Sequence, residues 1–73
     1  MTKLKSFLEI TLTEKRKKLI EVQELYNSGL ERKKLTKEEI EHLVDYNNEL
    51  IELKAEISII VEVLKFIRDN NNE

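Results

Sequence analysis

Apolar residues recur along this chain at alternating spacings of three and four, the rhythm of one face of an α-helix. The clearest run is Leu43, Tyr46, Leu50, Leu53, Ile57, Ile60, Leu64 and Ile67, which keeps that rhythm without a miss. Sustained over more than three heptads, such a run is a coiled-coil-type seam. In the first half Leu8, Leu12, Leu19, Val22 and Tyr26 keep the same beat, with Lys15 in the one polar slot and Leu4, Phe7 and Leu25 widening the stripe. The pattern predicts an all-α fold, a two-helix antiparallel hairpin with helices over about 3–28 and 36–69, making residues 1–73 a single domain. Two alternatives compete locally. Thr11 and Glu14 have capping-box spacing and would start the first helix late, leaving 1–10 as a separate turn. Ile57, Ile59, Val61 and Val63 alternate as a strand would, but Ile60 and Leu64 spoil that pattern and the seam runs straight through it.

The break between the helices has its own signals. Gly29 lacks a Cβ and suits a left-handed residue just past a helix end, with Leu25 and Leu30 placed for the hydrophobic contact of such a cap. Thr36 and Glu39 have the spacing of a capping box, and Leu35 and Ile40 that of a hydrophobic staple. Residues 29–35 then form a short loop, which forces antiparallel neighbours. At the other end Asn70, Asn71, Asn72 and Glu73 are poor helix formers, expected to fray.

A length mismatch points outward. At about 1.5 Å per residue the first helix is ~39 Å long and the second ~51 Å. Paired from the loop outwards, the first is exhausted near residue 62, leaving Val63, Leu64, Phe66 and Ile67 as an overhang. Ile59, Val63 and Phe66 also lie off the seam, so the last turns are apolar nearly all round, as in helices buried on several sides. Ile59, Val63, Phe66 and Ile67 are therefore the expected association surface. Two hairpins pairing into a dimeric four-helix bundle would cover it, and so would a different protein docked in helix-in-groove fashion. A hairpin of this size also has little core of its own.

Charge adds one feature. Residues 1–35 carry nine Lys/Arg against five Glu, and residues 36–73 four against ten acidic groups, for a net charge of −2. Two antiparallel halves of opposite sign attract each other, which is the simpler reading. The sharper one is a basic surface for nucleic acid, with Arg16, Lys17, Arg32 and Lys33 as contacts. Lys15 to Lys18 point all round a helix, however, and the acidic second half repels phosphate. RNA-binding hairpin dimers share this architecture, which is an analogy of shape only.

Chemistry is sparse. The chain has no cysteine and one glycine, which removes disulfides, thiolate zinc sites and phosphate-cradling loops. His42, the only histidine, forms a Glu-x-x-His unit with Glu39. That unit recurs in carboxylate-bridged di-metal bundles, where Glu21 or Glu24 would supply a further ligand. Yet Glu39 is already explained by its capping box. His42 with Asp45 has no nucleophile fixed beside it, so no enzyme and no cofactor is expected. The longest apolar-rich stretch, 57–67, is broken by Ser58, Glu62 and Lys65 and falls short of the roughly 20 residues a bilayer needs. No basic-then-apolar signal segment opens the chain, which fits a cytoplasmic protein.

Lys15-Arg16-Lys17-Lys18-Leu19 and the approach to the second helix from Leu35 to Ile40 resemble loosely the layout of the sporulation aspartyl-phosphate phosphatases, short hairpins with a basic first helix. Their second helix bears a Ser-Gln-Glu-Leu-Asp signature. Here the nearest stretch is Asn47-Asn48-Glu49-Leu50-Ile51, which matches only Glu-Leu and lacks the terminal acid, so the activity is not carried over. The expectation is a regulator without catalysis, partnered by itself and by another protein.

Overall fold

The computed structural model describes residues 2–70. Two helices, α1 (Thr2–Leu30) and α2 (Lys37–Asn70), pack against each other as a hairpin joined by residues 31–36. The rod measures 58 × 15 × 14 Å. No strand occurs among the described residues, so the alternation at 57–63 is resolved as helix. A late start for α1 is likewise overturned. Thr11 spends its hydroxyl on the Phe7 carbonyl at 2.8 Å and Thr13 on that of Glu9 at 3.0 Å, the back-bonding of hydroxyls inside a continuous helix.

The seam closes as its periodicity predicts. Val22, Leu50 and Leu53 are buried at the centre, with Leu19, Tyr26 and Tyr46 packed against them. Leu43, Ile57, Ile60 and Leu64 are half-buried along the same line. Lys15, the polar slot, is also half-buried and extends its ammonium to Glu56 Oε1 at 3.2 Å. An apolar stem along the seam with a charged head at its edge is how lysine tolerates such a position.

Both junctions are well defined, one of them unexpectedly. At the start of α2 the Thr36 N–H donates to Glu39 Oε1 at 2.9 Å, and the Glu39 N–H donates to Thr36 Oγ1 at 3.2 Å. That reciprocal pair is the predicted capping box. Gly29, in contrast, is no left-handed cap: no glycine has a positive φ, and α1 continues through Leu30. The turn leaves α1 through an Arg32 N–H to Gly29 carbonyl bond of 3.2 Å. Its missing side chain leaves room for Leu43 of the facing helix, whose Cδ2 a Cβ here would have to displace.

The expected overhang does not occur. Lys15 stands beside Glu56 and Gly29 beside Leu43, so residue numbers facing each other add to about 71–72. A tight turn centred on residues 31–36 would set the sum about one turn lower. The loop instead carries the chain back so that the first turn of α2 runs past the loop rather than α1. The far end of α2 thereby slides onto α1, and Ile67 comes level with residues 4–5. Ile67 is 6% exposed, a seam residue within the hairpin, and not part of an overhang. Asn70 ends α2 in helical form, its amide donating to the Phe66 carbonyl at 2.8 Å. The fraying expected of residues 71–73 falls outside the described residues.

Candidate functional site

A two-helix rod has two long flanks, and the ion pairs show which side chains share each. Lys18 reaches Glu49 at 3.9 Å on the same flank as the Lys15–Glu56 pair. Stepping by three and four from these residues, Leu4, Phe7, Thr11, Glu14 and Lys18 line the α1 edge, and Glu49, Glu52, Glu56, Ile59, Val63 and Phe66 the α2 edge. The flank is acidic in its middle and apolar towards the open end of the hairpin. There Phe7 is 63% exposed, Ile59 63% and Phe66 67%, with Leu4 and Val63 also exposed. Three of the four expected association residues are thus brought together on one surface. Phe7 joins them from α1, at the level of residues 64–65. In the sequence Phe7 belongs to the stripe of its own helix, and only the antiparallel register brings it to the same level and flank as Val63 and Phe66.

The opposite flank has the opposite charge. Lys5, Glu9, Leu12 and Arg16 of α1 and Val61, Leu64, Lys65 and Arg68 of α2 line a shallow cleft of about 390 Å³. Two turns further along α2, Lys54 continues the same edge. Glu9 is the one acid among these residues, and Arg68 is 3.6 Å from its chain neighbour Asp69. The flanks cut across the two sequence halves: Lys65 and Arg68 of the acidic half lie on the basic flank, and Lys15 and Lys18 of the basic half on the acidic one. The signal was present as Lys5, Glu9 and Arg16 at spacings of four and seven, but its completion by Lys65 and Arg68 depends on the register.

The residues expected for nucleic acid are not gathered. Arg16 belongs to the basic cleft, and Lys17 points away from it on the outer side of α1. Arg32 pairs with Glu39 beside the loop, and Lys33 is exposed within the loop. Arg16 and Arg32 stand more than ~20 Å apart at helical rise.

A second cleft of about 450 Å³ lies at the loop end, walled by Leu25, Leu35, Leu43 and Tyr46, with Arg32, Glu39 and His42 at its rim. Here Glu39 is held below the usual carboxylate range, first by the Thr36 N–H and then by the Thr36 hydroxyl and the Arg32 guanidinium. Its charge serves the cap. Among the described residues no three metal-ligating side chains converge, in keeping with Glu39 being committed to Thr36 and Arg32. Nor is any helix long and apolar enough to cross a membrane.

No family model, curated protein or solved structure matches this chain. Any functional reading therefore stands on the two flanks themselves.

Proposed function

We propose that this chain is a non-enzymatic interaction module: a helical hairpin that self-associates into a dimeric four-helix bundle and binds another protein. One observation carries the reading. Five apolar side chains from both helices, Leu4, Phe7, Ile59, Val63 and Phe66, are exposed side by side at the open end of one flank. Each Å² of such surface removed from water contributes roughly 25 cal/mol, and two-fold dimers are the commonest assembly that removes it. Contiguous apolar patches mark interaction sites far more often than scattered apolar residues do.

The charges next to the patch favour one arrangement of the two copies. With both loops at the same end, α1 of each copy faces α2 of the other, setting Lys15 and Lys18 opposite Glu49, Glu52 and Glu56. With the loops at opposite ends, α2 faces α2, and superposing the two patches carries those three glutamates to or past the end of the partner's α2, so no opposite charges meet. Complementary potentials favour the first.

Sedimentation equilibrium from low to high micromolar concentration tests the proposal. The wild-type chain is expected to dimerise, and Phe66→Glu to shift the equilibrium at least tenfold towards monomer while keeping the helical circular dichroism. A wild-type chain that stays monomeric at high micromolar concentration removes the self-association reading.

A further inference from the structure

The basic flank is the mirror of the patch: positive at its edges, apolar at its floor and directed away from the self-association surface. We infer that it is a docking groove for an acidic amphipathic helix, which would lie against α1 and α2 as the third member of a three-helix bundle. This rests on the reading of the chain as an interaction module but not on its dimerisation.

Three observations carry it. The first is charge: Lys5, Arg16, Lys65 and Arg68 line the cleft against the single Glu9, and Lys54 follows two turns along the same edge, on a chain whose net charge is −2. A concentration of one sign against the trend of the whole molecule gives a complementary partner its orientation and its rate of approach. The second is the floor. Leu12, Val61 and Leu64 line the cleft, and nearer the loop Ile20 and Ile51, each 60% exposed, give the same flank apolar edges, Ile51 standing two heptads from Lys65. By the register Ile20 and Ile51 are level with each other. Apolar anchors at helical spacing between two parallel rims are what an amphipathic helix fills. The third is length. From Arg68 to Ile51 this flank follows 17 positions of α2, or ~26 Å at helical rise, room for nearly five turns of a partner helix.

A nucleic acid matches less of this surface. Phosphates would use the five cations but leave the apolar floor uncovered, and the far flank presents Glu14, Glu49, Glu52 and Glu56 to the rest of a polyanion. A second copy of this chain matches poorly too, because the acidic stretch of α2 belongs to the flank that carries the self-association patch.

The test uses the full chain and three fluorescent probes followed by anisotropy. One is an 18-residue glutamate-rich helix with leucines at spacings of three and four. Another is a scramble of that peptide with the same charge and no apolar face. The third is a single-stranded RNA 20-mer. The amphipathic peptide is expected to bind saturably, at least tenfold more tightly than the scramble and than the RNA, and more weakly as salt rises. The double change Lys65→Glu and Arg68→Glu should cut that affinity at least tenfold with helicity unchanged. Phe66→Glu, on the other flank, should leave it within twofold. Equal binding of peptide and scramble, tighter binding of RNA, or no loss in the double variant overturns the groove. If the hairpin proves monomeric yet selects the amphipathic peptide, self-association fails and this inference stands. If it dimerises but ignores the peptide, the reverse holds.

Discussion

Gly29 fills a role other than the one its place in the sequence suggests. A glycine near the end of a helix points to a left-handed cap, yet here its backbone is helical and its lack of a side chain makes room for Leu43. The two roles predict different mutants. In an ordinary helical position Gly→Ala stabilises by about 1 kcal/mol, through the propensity difference. At this position the added methyl meets Leu43 Cδ2 and crowds its Cγ, so rotating the leucine's end does not fully clear it. Gly29→Ala is therefore expected to bring no gain or a loss of stability in urea denaturation. In a Leu43→Ala background the same change should recover a gain of about 0.5–1 kcal/mol, a coupling within the range for residues in contact. Equal effects in the two backgrounds would mean that the two side chains do not meet.

At the level of elements, α2 owes its sharp beginning to Thr36 and Glu39, and this junction was legible because a capping box is local in sequence. Its electrostatics give it a pH signature. The folded Glu39 titrates below the ordinary range because the Thr36 N–H, the Thr36 hydroxyl and Arg32 all favour its charged form. A carboxylate with a lowered folded pKa adds stability above its unfolded pKa of about 4.3, and that stability is lost as pH falls through the lowered value. Thermal melts between pH 7 and pH 2 should thus show wild type ahead of Glu39→Gln near neutrality. The gap should close as the solution is acidified below pH ~4. A gap that stays constant with pH would show that hydrogen bonding alone, not charge, supports the cap. The seams of both helices were legible for a related reason: burial repeats with the helical period, so Leu50, Leu53 and Val22 announce themselves. Ile67 did so too, as a seam member. Its assignment to an overhang came from assuming a symmetric turn, and the path of a six-residue loop is not written in the periodicity of its neighbours.

For the molecule as a whole, what the sequence withheld is the pairing across the hairpin. Phe7 comes level with Leu64 and Lys65, and Lys5 and Arg16 share a cleft with Lys65 and Arg68, only at one register. The same facing positions that unite them give the rod two flanks of opposite sign. The Lys15–Glu56 pair, with side chains 29% and 50% exposed, adds at most ~1 kcal/mol to holding that register.

The single seam has a last consequence. Among the described residues neither helix packs on anything but the other, so parting them at any level removes the tertiary packing from which most helical stability in proteins comes. Protection should accordingly be held in common. In native-state hydrogen–deuterium exchange the slowest amides around Val22 and those around Leu50 and Leu53 are expected to open with the same free energy, while residues 31–36 exchange first. Distinct plateaus for the two helices would reveal a division of the rod into separately folding parts.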